Sequence, residues 1–520
     1  MSLLKRSIVW LAPLIIILTG VGILFAKNYN EVTEPPSEEW SRPLQIATTP
    51  SSKQPSVTET KQDQLSVSYL TETGAAHKTY NEDLRLIDET YYDIPVDKFT
   101  RIHIEDNQMV YADYYGLYNG KTNEKIVDIT GFYPLKNHVF YRDESAIHKL
   151  DMETLKSSPV LKLKDEKASV YFHEMEDQVH LMTEHRKTNE HHITFYSLEN
   201  AEFTSIDSTT LNLDASEELQ ELLFSINNDT YSLLISTVQK TNMEGNVRYF
   251  YYFDQTAIGK NPELTELNFP DPHGTENLKE ISDIELRTDT GQTSVLFKAF
   301  GATKTQFKAP AQFNIYQATL KNDQVGTVMR LSNTPKHSSN PAWYDEKTIT
   351  WLDVESGSNP LYLSSGKDHL IQSAPFLTTD YFLQALGKTM GMLTYGLFGV
   401  MISVLWFIWP LLFIVILSFT NSRAMDHEHS WVLYAGAAIY IAAAVIFKNQ
   451  LVTEAALSRA PEYLSFTGST LTYLFGFALL SFGILKIGAK VRDWSMFIQL
   501  TYFIALHVAF MTIFFGPYLI

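Results

Sequence analysis

The hydrophobic pattern divides the chain into four stretches. "SIVWLAPLIIILTGVGILFA" (Ser7–Ala26) runs for about 20 residues without a charge, enough for a helix to cross a hydrocarbon core of roughly 30 Å. Residues 1–27 therefore read as a transmembrane anchor. A cleaved signal peptide is the rival reading, but it would have a shorter apolar region and a small-x-small site close behind it. Residues 28–64 are rich in Pro, Ser, Thr and Glu and poor in large apolar side chains. Such a segment buries too little surface to offset its ordering entropy, so the expectation is a disordered linker. Four more apolar runs, Thr389–Phe419, Trp431–Phe447, Leu464–Leu485 and Trp494–Ile520, predict a four-helix transmembrane region over 388–520. Pro410 is a candidate kink in the first of them.

Between these segments, from 65 to 380, short β-branched and aromatic runs alternate with polar turns. "QMVYADYYGLYNG", "HVFYRD", "QVHLMTEH", "YSLLISTV", "SVLFKAF" and "TITWLDV" begin near 109, 139, 179, 232, 295 and 349. Each is followed by a turn and a second strand, and those second strands look alike: "AIHKLD", "ITFYSLE", "RYFYYFD", "FNIYQATL" and "PLYLSS". Helical periodicity is not sustained. Hairpins recurring at this spacing predict an all-β propeller, six blades favoured and seven admissible, with 65–106 supplying the closing strand.

Charge sets the orientation. Lys486, Lys490 and Arg492 lie between the last two apolar runs, so that loop is expected in the cytoplasm. Counting back through the spans leaves 28–387 and the C-terminus extracytoplasmic and the N-terminus cytoplasmic, as Lys5 and Arg6 separately indicate. Residues 27–387 hold 32 basic and 54 acidic side chains, a net of −22. That excess disfavours nucleic acid and anionic headgroups. The chain has no cysteine, which excludes disulfides, thiolate catalysis and zinc–sulfur sites. These features are compatible with the plasma membrane of a bacterium.

The stretch 331–374 resembles the blade repeat of TolB-type β-propellers. The likeness rests on Leu331-Ser332, Asn340-Pro341-Ala342-Trp343, Lys347 to Trp351, Gly357 and Leu361-Tyr362-Leu363. Where that repeat has Ser-Pro-Asp-Gly, this chain has the shorter Tyr344-Asp345-Glu346. The resemblance implies a radial β-propeller in which Asn340, Pro341, Trp343, Ile349, Trp351, Gly357 and Tyr362 are structural. Alternation puts Ile349 and Trp351 on one face of a strand. Ser332, His337 and Asp345 then read as turn residues rather than as a catalytic set.

Candidate chemistry is sparse. His173, His180, His185, His191 and His192 are interspersed with carboxylates, a composition suited to a divalent metal, though no defined spacing is present. The plainer reading is a solvated hairpin. "DHEH" (426–429) reads as a short polar loop. No Gly-x-Ser-x-Gly elbow occurs, which argues against a serine hydrolase. His507 is the one ionisable residue within the C-terminal runs and is expected to bond a neighbouring helix.

The reading that uses every feature is a multi-pass membrane protein displaying an acidic propeller as a ligand- or protein-binding sensor or scaffold, with a protein partner in the membrane or envelope and no cofactor. A metal-dependent envelope enzyme built on 172–192 is the alternative. An accessory subunit of a membrane transport complex is the second.

Overall fold

The computed structural model describes residues 2–60, 64–105, 108–175, 178–187, 190–227, 230–239, 248–260, 263–289, 292–302, 312–322, 324–334, 336–354, 357–421, 429–490 and 492–519. They form two compact units, a β unit within 35–375 and a helical unit made of the two ends of the chain.

The β unit is a seven-bladed propeller of four-stranded antiparallel sheets. Blade 1 holds β2 (Ser56–Glu59), β3 (Leu65–Leu70), β4 (Gly74–Tyr80) and β5 (Leu86–Asp93). Blade 2 holds β6 (Arg101–Glu105), β7 (Gln108–Ala112), β8 (Gly116–Asn119) and β9 (Lys125–Asp128). Blade 3 is β10 (Gly131–Pro134), β11 (Val139–Arg142), β12 (Ala146–Leu150) and β13 (Ser157–Lys162). Blade 4 is β14 (Ser169–Met175), β15 (Gln178–Lys187), β16 (Glu190–Glu199) and β17 (Glu202–Asn212). Blade 5 is β18 (Glu217–Asn227), β19 (Thr230–Gln239), β20 (Arg248–Ala257) and β21 (Thr265–Glu266). Blade 6 is β22 (Lys279–Asp289), β23 (Gln292–Gly301), β24 (Gln312–Lys321) and β25 (Gln324–Arg330). Blade 7 combines β26 (His337–Asp345), β27 (Thr348–Val354) and β28 (Asn359–Ser365) with β1 (Leu44–Thr49), which pairs antiparallel with β28.

Three expectations change here. The favoured count of six blades becomes seven, because "LSVSYL" and "GAAHKTY" are the middle strands of a blade whose small residues hid it. The closing strand is β1, not a piece of 65–106. Within the expected disordered linker, residues 44–49 and 56–59 are strands, and Trp40 packs beside Trp351. The compositional argument fails for a simple reason. A strand added to a sheet edge gains its ladder from the partner's free backbone groups and needs little apolar surface of its own.

The cores lie between blades. Among the described residues, one apolar cluster fills each of the seven junctions. Both faces of a central strand are therefore covered, so these strands read as apolar runs rather than clean alternations. On β27, Ile349 and Trp351 join the cluster against blade 6, while Leu352 joins the one against blade 1. That is the alternation expected from sequence. Gly357 sits in the turn between β27 and β28 at φ 88°, a left-handed conformation in which a side chain would be strained.

Ser332 is not a turn residue. Its hydroxyl is buried, accepting from the Ile315 N–H and reaching Asn314 and Ser338. Asp353 Oδ1 accepts from Thr334, Ser338 and Trp351 Nε1, at 2.9, 3.1 and 3.1 Å. A carboxylate enclosed in this way stays stable only with such partners. The serine, threonine and aspartate of this stretch thus staple blade 7 to blade 6.

In the helical unit, four helical stretches are long and apolar enough to cross a membrane: Val9–Val32, Thr379–Thr420, Ser469–Ala489 and Met496–Tyr518. A shorter apolar helix spans Ser430–Ile446. The second stretch is interrupted at Leu397 and Ser403, and Pro410 lies inside its last segment, Val404–Thr420. The N-terminal helix packs with the C-terminal ones: Asn28 Nδ2 donates to Thr389 Oγ1 at 2.9 Å, and Lys388 Nζ lies 2.6 Å from Glu31 Oε2. His507 is fully buried between Tyr440 O–H, 2.6 Å from Nδ1, and the Leu474 carbonyl, 2.9 Å from Nε2. Since a carbonyl only accepts, Nε2 donates to Leu474, and the imidazole ties three helices together.

Trp40→Ala tests whether the segment before β1 is structural. Trp40 is 7% exposed, and its truncation is expected to lower stability by about 3–5 kcal/mol, measured by denaturant unfolding. No change would mean the segment is a tether after all.

Candidate functional site

The inner strand of each blade carries polar and aromatic side chains toward the centre of the ring. Two adjacent chambers of about 540 and 980 Å³ open there. They share Lys136, Glu285, Trp343 and Tyr344. The smaller chamber is lined from blades 1, 2 and 3, by Lys53, Ser56, Arg101 and His103 among others. The larger one is lined mainly from blades 4 to 7, including His173, Glu174, Arg287, Asp345 and Glu346.

The chain fixes these groups by local means. A bulge between Ser339 and Ala342 re-aims β26, and Asn340 within it adopts φ 48°. Its N–H donates to Asp283 and its Nδ2 to the Ser52 carbonyl, at 3.1 and 2.7 Å. Pro341 is buried beside it. Trp343 then points at the channel, with the Arg287 guanidinium 5.8 Å from its ring. The Trp343 N–H donates to Glu285 Oε2 at 3.2 Å. Tyr362 stacks on Trp351 at 5.8 Å, away from the channel. So of the seven blade-motif residues, Trp343 faces the site, Asn340 and Pro341 shape it, and Ile349, Trp351, Gly357 and Tyr362 build the blade.

Glu285 is half-buried and lines both chambers. Burial pushes its carboxyl up to about 7, opposed by the hydrogen bond from Trp343 N–H. Glu174 is better satisfied: it accepts from the backbone N–H groups of Lys136 and Asn137 and meets His138 Nδ1 at 3.0 Å. Asp345 pairs with Lys367 at 2.7 Å.

The five candidate metal histidines are all in blade 4, and the structure separates them. His173 faces the larger chamber, its Nε2 3.4 Å from Ser225 Oγ, and burial beside His180 pushes the imidazole down to about 4. His180 lies opposite it in the β14–β15 register and is 4% exposed. His185 Nδ1 lies 2.6 Å from Asp165 Oδ2, and His192 Nδ1 lies 3.0 Å from Thr210 Oγ1. These two are register partners on the face opposite His180. His191 pairs with Glu184 at 2.7 Å, six register positions from His180, roughly 20 Å along the strand. Among the described residues, no group of three His, Asp or Glu side chains is placed to hold a metal ion. The "DHEH" loop lies outside the described residues, apart from His429.

The sequence reading missed Lys53, Arg101, Lys136, Glu285 and Arg287. Lys53 sits in what read as a tether, Lys136 lies in the β10–β11 turn, and Arg101, Glu285 and Arg287 are single charges on strands. Only closure of the ring brings them together.

No protein-family model matches the chain. No curated protein matches it either. Solved structures similar to part of it include a polysaccharide lyase, 8% identical, covering 60% of this chain and 90% of that one at a TM-score of 0.38. An α-L-arabinanase of Penicillium chrysogenum complexed with arabinobiose is 8% identical, with coverages of 63% and 99% and a TM-score of 0.31. An oligogalacturonate lyase in complex with manganese is 12% identical, with coverages of 64% and 99% and a TM-score of 0.28. At these identities and scores the likenesses carry no functional argument.

Glu285 gives a pH prediction. Its folded carboxyl holds a proton to a higher pH than it would unfolded, so its contribution to stability is lost as pH rises from the ordinary carboxyl value of 4.5 to about 7. Groups that face this region, Arg287, Lys136, Asp283, Asp345 and Glu346, are common to both proteins compared. Thermal unfolding of Glu285→Gln should therefore match the parent at acid pH and exceed it increasingly toward neutral. Parallel curves would show that Glu285 is solvated.

Proposed function

We propose that this chain is a multi-pass membrane protein whose propeller is a binding module on the extracytoplasmic side, acting as a sensor or scaffold. The observation that carries the reading is the channel: two adjacent chambers, lined by charged and aromatic side chains from around the ring. Such a concave site with a few convergent polar groups is the usual form of a ligand pocket. The apolar helices supply the membrane part of the reading. Cations and indoles cluster at one end of the helical unit, with Arg492 6.0 Å from the Trp10 ring and 5.9 Å from that of Trp494. Lys486 lies 4.7 Å from the Tyr434 ring. This pattern suits the cytoplasmic interface of a plasma membrane, bacterial in our reading. The likeness of blade 7 to TolB-type repeats, carried by Asn340 to Trp343 and Lys347 to Trp351, fits a propeller that binds rather than catalyses. A protein partner in the membrane or envelope belongs to the same proposal.

Orientation is directly testable because the chain lacks cysteine. A membrane-impermeant maleimide should label Glu144→Cys in intact cells, and Asp493→Cys only after permeabilisation. The reverse pattern would overturn the topology.

Binding is tested on the full chain in nanodiscs, screened with anions, cations, neutral saccharides and peptides. At least one class should raise the melting temperature saturably and shift an emission component that Trp343→Phe removes. Silence from every class would sink the binding reading.

A further inference from the structure

The smaller chamber is cationic in a strongly acidic domain. Lys53 comes from the β1–β2 connection, Arg101 from the first residue of β6, and Lys136 from the β10–β11 turn. Three sequence-distant segments thus bring positive charge to one cavity, with His103 beside them. Among the described residues, no carboxylate lies within ion-pairing distance of these three side chains. Lys53 Nζ donates to the Thr100 carbonyl at 2.9 Å, and Arg101 Nη1 to the Phe132 carbonyl at 3.4 Å. Neither contact neutralises charge. His103 Nε2 lies 3.8 Å from Glu105, outside hydrogen-bond range.

Some other lysines on this propeller do have carboxylate partners. Lys78 meets Glu89 at 2.8 Å, Lys298 meets Asp283 at 3.5 Å, and Lys367 meets Asp345 at 2.7 Å. In a domain with acids in such excess, three cations gather at one cavity without a carboxylate partner among the described residues, Lys53 half-buried and Arg101 and Lys136 exposed to whatever enters it. Among the described residues, the one carboxylate lining the chamber is Glu285. Asp97 attracts Lys53 from a distance, but its Oδ1 already accepts from Phe99 N, Thr100 N and Thr100 Oγ1.

We propose that this chamber binds the oxyanion group of a ligand, a phosphate or a carboxylate, between Lys53, Arg101 and Lys136. The proposal rests on the channel being a binding site. Arg101 supplies a planar donor fork, the lysines supply point charges, and Ser56 supplies a hydroxyl at the wall. Two further facts agree. Lys53 is shifted below the ordinary lysine range by burial and then by Arg101, a cost that a bound anion would relieve. Glu285, held toward its neutral form, repels an anion less than an ordinary carboxylate would.

The test uses the full chain in nanodiscs of neutral lipid. Probes are inorganic phosphate, glycerol phosphate and succinate, against sodium chloride at matched ionic strength. One of the oxyanions should bind saturably by calorimetry and raise the melting temperature beyond the chloride control. Phosphate-selective or succinate-selective binding identifies which oxyanion the chamber prefers. Lys53→Gln/Arg101→Gln should weaken that binding by roughly tenfold or more. Its melting temperature without ligand should be unchanged or higher, since two like charges are removed. Arg101→Lys, keeping charge but losing the fork, should bind with intermediate affinity and serves if the double variant fails to fold. Undiminished binding in these variants would overturn the proposal. So would no oxyanion response from a protein that another ligand class stabilises, a result that leaves the channel reading intact. Silence from all classes would remove both.

Discussion

The structure of the propeller depends on one pairing, that of Leu44–Thr49 with Asn359–Ser365. A ring of blades has an open sheet edge wherever its last blade is incomplete, and an exposed edge is a template for wrong partners. Here the end of the domain waits for a strand from its beginning. The closure carries more than a ladder. Ser41 N–H donates to the Ser365 carbonyl at 2.8 Å, Ser364 Oγ to the Ser41 carbonyl at 2.9 Å, and Trp40 joins Trp351 in the core between blades 6 and 7. Contacts separated by some 300 residues form slowly and cooperatively, because loop closure must precede their reward.

That pairing also makes the candidate site. Lys53 and Ser56 follow directly on β1, and β2, the inner strand of blade 1, contacts β26 of blade 7. Asn340 Nδ2 reaches the Ser52 carbonyl at 2.7 Å and holds the same segment from the other side. The chamber walls from blades 1 and 7 are therefore in place only when the ring is shut. Fold closure and site assembly are one event in this protein, and a lesion in β1 would reach binding through geometry without touching a lining residue.

The limits of the sequence follow from the same geometry. Strand-rich texture, the repeated second strands and the apolar helices were legible because each is local: "ITFYSLE" and "FNIYQATL" carry their strand character within a few residues. Blade 1 was hidden because Gly74, Ala75 and Ala76 have little of the β-branched bulk that marks a strand. β1 was hidden because an added strand borrows its stability from β28. The buried role of Ser332 was hidden because its partners Asn314 and Ile315 belong to another blade. The channel residues were least legible of all. Lys53, Arg101, Lys136 and Glu285 are unremarkable charges at unrelated positions, and no period or motif links them.

Charge supplies the last step. The domain's acidity favours solubility and keeps anions away at long range, yet screening confines that effect to about 8 Å at physiological ionic strength. Inside a channel, local charges decide. Lys53, Arg101 and Lys136 face a cavity in which the lining acid, Glu285, is itself biased toward neutrality by burial. The acidic outer surface and cationic chamber then act in series. If the chamber binds an anion as proposed, the surface would slow every anion, and a ligand with other contacts, such as stacking on Trp343 or Tyr344, which line both chambers, would gain most by entering. Selectivity would come from that combination rather than from charge alone.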